Sequence, residues 1–208
     1  MTYKLHQIYH LYNQGNNQQP IFFKEENYLY FLRKMRKHLL PLVDILCYCL
    51  MPNHFHWLVC TKEEACLHIP RKKYRPELLD GNSTLHSNYS YADNQQALSK
   101  AIGVLVGGYA KGINKQENRT GSLFRGKTKA KDGIIDGLIT INGKNRNLFF
   151  QSGNNYAFTC FNYIHENPIE VDLVKRPEDW LYSSARDYAG LRNGTMCNQK
   201  LAKKLLNL

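Results

Sequence analysis

Two histidines, two residues apart in Met51-Pro-Asn-His-Phe-His-Trp-Leu-Val59, are the first candidates for chemistry. On a strand, residues i and i+2 share a face with their Cα atoms about 7 Å apart. His54 and His56 would then present two imidazoles to one side, as chelation of a single divalent ion requires. The same spacing also suits histidines that only pack and hydrogen-bond, so it does not assign a metal site by itself. Pro52-Asn53 is a turn signal and sets the pair at the start of a strand, where the backbone is well ordered. A covalent mechanism would also need a nucleophile, and Tyr163 is placed for one. On a helical wheel Ala157, Phe158, Cys160, Phe161 and Ile164 form an apolar arc, and Tyr163 and Asn167 lie together at its edge, one turn apart. An amphipathic tyrosine packs well at such an edge without any chemistry. With 14 tyrosines in the chain, periodicity does not separate Tyr163 from Tyr109 or Tyr156.

The charge suggests what such a site would act on. The formal net charge is +11 at a pI near 9.3, and a polyanion is the natural partner of a basic protein because binding releases its counterions. The charge is concentrated: between Lys111 and Lys131 seven cations face one acid, Glu117, and supply +6 of the total. In Ser122 to Lys131, Arg125, Lys127, Lys129 and Lys131 alternate with Phe124, Gly126, Thr128 and Ala130. As a strand this would align four cations at roughly 6.5–7 Å, close to the phosphate repeat of an extended single strand. Lysines that guard a solvated edge strand would read the same way. Arg119 and Lys111 extend the basic surface. Six cysteines at 47, 49, 60, 66, 160 and 197 contain no CxxC pair, and read as reduced and mostly buried. No apolar run approaches the roughly 20 residues of a membrane span, and the N-terminus has no apolar signal core, so a cytoplasmic protein is expected.

The elements that must position these residues follow from pattern. Thr2 to Asn13 reads as a strand and Glu25 to Leu40 as an amphipathic helix, with acids at its start and cations at its end. Val43 to Met51 and His54 to Cys60 read as two antiparallel strands joined by a tight turn. Alternation places His54, His56 and Leu58 on one face, with Phe55, Trp57 and Val59 on the other. Lys62 to Gln96 shows no sustained period and reads as a long connection. Leu98, Ile102, Leu105, Tyr109 and Ile113 mark a second helix. Leu138 to Ile141, Asn142-Gly143 and Leu148 to Phe150 read as an inserted hairpin, and Tyr156 to Asn167 as a helix stopped by Pro168. The C-terminal part reads as a packed tail with short helices.

The order of motifs carries a resemblance. Met51 to Val59 looks like the HUH motif of single-tyrosine transposases. Tyr9-His-Leu-Tyr-Asn-Gln-Gly15 with Pro20-Ile-Phe-Phe23, Gly121-Ser-Leu-Phe124, Asn162-Tyr-Ile-His-Glu-Asn-Pro168 and Glu178 to Gly190 extend it over most of residues 3–190. Together they resemble the REP-associated tyrosine transposases. That resemblance implies a ferredoxin-like α/β fold with the histidines on an antiparallel sheet and the tyrosine on a late helix. It implies one domain over residues 1–190, with 132–154 as an insertion and 191–208 as a tail. It also implies metal-dependent cleavage and rejoining of single-stranded or hairpin DNA. Tyr163 would be the nucleophile, forming a 5′-phosphotyrosine, and Mg²⁺ or Mn²⁺ would be held by His54, His56 and Asn167. Two imidazoles favour Mn²⁺ over Mg²⁺. A monomer is favoured, with a dimer as the alternative. Gln14 stands where the family pattern has Arg, Val171-Asp-Leu173 replaces a small Ala-Gly step, and the 132–154 insertion is additional. A catalytically inactive protein that recognises structured repeats is the rival expectation, with metal-dependent RNA hydrolysis a third.

Overall fold

The computed structural model describes residues 2–74, 89–132, 138–141, 144–147 and 156–208. Strand β1, Ile8–Gln14, starts later than its composition suggests. His6 adopts a left-handed backbone (φ 54°) that ends extension, and its amide turns to the carbonyl of Thr61. Helix α1, Glu25–His38, buries Tyr28, Phe31 and Met35 at helical spacing and carries Glu25 and Glu26 at the positive end of its dipole. Strands β2, Val43–Met51, and β3, His54–Thr61, pair antiparallel, with Met51 opposite His54 across the Pro52-Asn53 turn.

The long connection, expected to be partly ordered, contains regular elements. It holds a short helix α2, Glu63–Cys66, and an antiparallel ribbon of β4, His68–Tyr74, and β5, Tyr89–Gln96. Pro70, the Arg71-Lys-Lys73 run and a register shift between Arg71 and Lys72 mask its alternation. A two-stranded ribbon tolerates all three, because each strand keeps one unpaired edge. Helix α3, Ala97–Gln116, then leads to β6, Lys129–Asp132. Strands β7, Leu138–Ile141, and β8, Lys144–Asn147, pair antiparallel. The second strand thus precedes Leu148 to Phe150, which lie outside the described residues.

The main sheet has the order β2-β3-β1-β6, every neighbour antiparallel. With α1 after β1 and α3 after β3, this is the β-α-β-β-α-β order of a ferredoxin-like sheet. Helices α1 and α3 cover one face, where Phe31, Met35, Leu105 and Tyr109 cluster with Phe55, Trp57, Val59, Tyr9 and Leu11. Helix α4, Tyr156–Glu170, covers the other, where Cys160, Tyr163 and Ile164 cluster with Cys47, Cys49, Met51 and Leu58. The face assignment read from alternation in β3 therefore holds. Pro168 lies inside α4 rather than ending it. Lying in the last turn, it breaks the hydrogen-bond ladder only near the helix end, and its carbonyl accepts from Leu173 to close that end.

The outer edge of β2 is capped by the segment around Trp180 to Ser184. Leu50 donates to the carbonyl of Tyr182, Ser184 to that of Tyr48, and Trp180 Nε1 to that of Leu50. Ser184 Oγ also accepts from the Tyr48 amide (2.9 Å) and meets His165 Nε2 of α4 (2.8 Å), tying that helix to the cap. Short α5, Ala185–Tyr188, follows. The C-terminal α6, Gln199–Leu206, packs Ala202 and Leu206 into the α4-side cluster. Ser184→Ala removes a buried partner from both the Tyr48 amide and His165. It is expected to lower unfolding stability by about 1–3 kcal/mol in urea denaturation.

Candidate active site

The Pro52-Asn53 turn that starts β3 is clamped from outside. The amides of Ile21 and Phe22 donate to the Pro52 carbonyl (2.8 and 3.1 Å), and that of Gly15 donates to the Asn53 carbonyl (2.8 Å). A Cβ at residue 15 would collide with the backbone carbonyl of Gln19, so this approach needs glycine. With its ends held, β3 presents His54 and His56 beside each other, ring centroids 5.0 Å apart.

Strand β1 lies against β3 with Tyr12 opposite His56, His10 opposite Leu58 and Gln14 opposite His54. Directly opposed residues in a sheet share a face. His10, Tyr12 and Gln14 therefore join the histidines on the α4 side. On the far edge, Lys129 lies opposite Tyr12 and Lys131 opposite His10, so both lysines share that face too.

Helix α4 places Tyr163 over this row, its ring 5.4 Å from His56 and 6.3 Å from His10. One turn on, Asn167 donates its amide to the Tyr163 carbonyl (2.7 Å), which turns its oxygen to His54 Nε2 (3.3 Å). Tyr163, Asn167, His56 and His10 are all buried, and His54 is half-buried. Burial pushes the Tyr163 phenol well above its usual range, opposed by the side chain of Asn167.

The donors fit a cation. Asn53 directs its amide nitrogen to the Gln18 carbonyl (3.3 Å), so its oxygen faces His54 Nδ1 (2.6 Å). His54 thus has an acceptor oxygen at each ring nitrogen. Burial lowers its pKa to about 4, so at neutral pH it carries one proton and satisfies only one of them. A metal ion held by His54 and Asn167 would remove the conflict. His56 Nδ1 is taken by His10 Nε2 at 2.8 Å, so Nε2 is the His56 nitrogen that could ligate a metal. Among the described residues no group of three or more His, Cys, Asp or Glu side chains is arranged to hold a metal. The groups that could hold a cation here are thus the two imidazoles and the Asn167 amide oxygen.

The basic strip is only partly strand. Lys129 and Lys131 lie on β6. Arg125 and Lys127 are exposed in an irregular segment, which Asn13 Nδ2 fastens through the Arg125 carbonyl and Thr128. The four cations therefore do not form one strand face. Alternation was broken by backbone demand: the amide of Arg125 bonds to Gln14 and Phe124 bridges to Gly15. Arg119 is engaged with Gln19 Oε1 (2.6 Å) and lies over the Phe23 ring. Lys111 is exposed on α3, in the layer across the sheet from Tyr163.

His10 and Asn53 also belong to the site, and no sequence pattern marks them: both lie inside the motifs Tyr9 to Gly15 and Met51 to Val59, yet their placement depends on the β1–β3 register and on amide orientation. Of the cysteines, all six are free, and 47, 49, 60 and 160 are buried.

No protein-family model matches the chain, and no curated protein matches it in sequence. One solved structure, described as a REP-associated tyrosine transposase bound to a REP hairpin, is similar over 92% of this chain and 86% of its own, with a TM-score of 0.51 and 13% sequence identity. At that identity the likeness is one of fold. No helix among the described residues is long and apolar enough to cross a membrane.

Burial lowers the imidazole pKa of His10 to about 3, of His54 to about 4 and of His165 to about 3, from 6.5. Above pH 6.5 folded and unfolded chains are both neutral at these sites and stability is flat. Below it the unfolded chain takes up protons that the native state refuses, so stability falls as pH drops towards 3–4, by about 1.4 kcal/mol per pH unit for each such histidine. The urea midpoint of the metal-free protein is expected to fall from pH 7.5 to 5.5, and His165→Asn to flatten that fall.

Proposed function

We propose that the chain is an endonuclease and strand transferase acting on single-stranded or hairpin DNA through a covalent tyrosine intermediate. The observation that carries this reading is convergence: Tyr163, His54, His56 and Asn167 meet on one sheet face that also bears Lys129 and Lys131. The fold it shares with a transposase solved on a hairpin is the ground for choosing hairpin DNA as a substrate.

Tyr163 Oη attacks phosphorus, and the bond from phosphorus to the 3′ oxygen breaks. The 5′ end is left on the tyrosine and a 3′-hydroxyl is released. The phenol gives up one proton and the departing 3′ oxygen takes one, so the exchange needs no nucleotide cofactor and reverses to rejoin strands. His54, His56 and Asn167 would hold Mg²⁺ or Mn²⁺, which when bound polarises the phosphoryl oxygen. Asn167 has two tasks, since its nitrogen fastens to the helix at Tyr163 while its oxygen faces His54. This couples the nucleophile's position to the metal donors. Lys129 and Lys131 neutralise the backbone beside the scissile phosphate. Gln14, opposite His54, offers an uncharged contact where the resembling family has arginine.

A second reading, binding without cleavage, draws on the burial of Tyr163, 8% exposed and with a phenol hard to ionise. End-labelled single-stranded and hairpin oligonucleotides with Mn²⁺ decide between them. Wild type is expected to leave a covalent adduct on a denaturing gel, and Tyr163→Phe none. Equal signal from the two across a broad oligonucleotide set gives binding alone, and turnover without adduct that survives Tyr163→Phe gives hydrolysis.

The placement of charge is tested separately. Lys129→Ala and Lys131→Ala are each expected to weaken single-strand binding and lower the salt slope by about 0.7, whereas Lys111→Ala leaves both unchanged. Titrations at several salt concentrations measure this.

A further inference from the structure

His10 is the most buried polar residue of the site at 1% exposure, and the proposed reaction gives it no contact with substrate. Its Nε2 lies 2.8 Å from His56 Nδ1, and its Nδ1 lies 4.0 Å from Cys160 Sγ on α4. The His10 and His56 rings stack at 5.0 Å between centroids, tilted by 28°. Two imidazole nitrogens at 2.8 Å share one hydrogen, and either ring can supply it. If His10 supplies it, the hydrogen of His56 sits on Nε2 and that nitrogen has no lone pair for a metal. If His56 supplies it from Nδ1, Nε2 is a ligand, and the hydrogen of His10 sits on Nδ1 facing Cys160.

We propose that His10 is a positioning residue that holds His56 in its Nδ1–H tautomer, turning Nε2 to the metal. The inference rests on the metal-binding reading given above. His10 does this from within the sheet. It occupies β1 one pair along from the Tyr12–His56 pair, with Leu58 opposite, so the acceptor is fixed by strand register rather than by a mobile loop. Cys160 suits the outer end, because a thiol sulfur is a weak acceptor that tolerates the His10 N–H without competing for the inner hydrogen. Metal-bound histidines commonly have their second nitrogen held in this way, and losing the partner weakens metal binding. A carboxylate or a carbonyl is the usual partner; here a second imidazole takes the place.

The test has three parts. Calorimetric titration of the metal-free protein with Mn²⁺ is expected to show about 10–100-fold weaker binding by His10→Phe. His10→Gln, whose amide oxygen can accept from His56, is expected to stay within about threefold of wild type. Long-range ¹H–¹⁵N correlation spectra of ¹⁵N-labelled wild type with Mg²⁺ are expected to show His56 protonated at Nδ1 and bare at Nε2. Mn²⁺ binding by His10→Phe as tight as wild type overturns the inference, as does a His56 protonated at Nε2. Should His10→Phe not fold, His10→Gln and the wild-type spectrum still decide it. Failure of wild type to bind Mn²⁺ overturns this inference and the metal reading together. Undiminished binding by His10→Phe, alongside adduct formation that needs Tyr163, overturns this inference alone.

Discussion

The antiparallel pairing of β1 with β3 is the constraint on which the rest depends. Its register sets Tyr12 against His56 and Gln14 against His54, and through β6 sets Lys129 and Lys131 on the same face. A slip of one residue would turn Tyr9 and Leu11 to the site and send His10 and Tyr12 into the apolar layer under α1 and α3. Few alternatives exist, because Tyr9, Leu11, Phe55 and Trp57 are almost wholly buried on that layer. The hydrophobic side of the sheet therefore specifies the chemical side. The clamp on Pro52-Asn53 by residues 15, 21 and 22 fixes where along the pair the histidines begin.

Placing polar groups under α4 has electrostatic consequences. Four imidazoles, of His10, His54, His56 and His165, are held below their ordinary pKa by burial, and the Tyr163 phenol above its own. These five groups are thus kept neutral at ordinary pH. Neutral imidazoles are what a metal requires, whereas a neutral phenol is a poor nucleophile. The same burial that suits the imidazoles to a metal works against ionisation of Tyr163, and under the proposed reaction a cation and phosphate entering the site would supply the missing compensation. In the low dielectric under α4, such charges act more strongly than they would in water.

Much of this was legible in the sequence, for identifiable reasons. Period-2 alternation in β3 reported its two faces correctly, since one face is apolar throughout. The helical arc of α4 placed Tyr163 and Asn167 together because i and i+4 are neighbours on any helix. The order of motifs pointed to the ferredoxin-like sheet. What failed was local pattern without tertiary support. Ser122 to Thr128 alternates as a strand would, but its backbone is drawn to Gln14, Gly15 and Asn16. Ribbon β4–β5 was hidden by charges and a bulge. His10 and Asn53 act through partners far off in sequence or through the orientation of an amide, and neither leaves a periodic trace.

The two faces of the sheet divide the labour, and that bears on how charge should be read. The segment from Lys111 to Lys131 looks like one basic tract in sequence. In the fold Lys111 stands in the α3 layer, Arg119 is occupied with Gln19 and Phe23, and Lys129 and Lys131 flank the row that ends at Tyr163. Under the proposed function, a strand of DNA laid beside the histidines would meet the last two and not the first. Net charge draws a polyanion towards the protein from any side. Which cations share a strand register with His10 and Tyr12 sets the charge of the site's face, so the register that builds the site would, under the proposed function, also select the surface along which DNA lies.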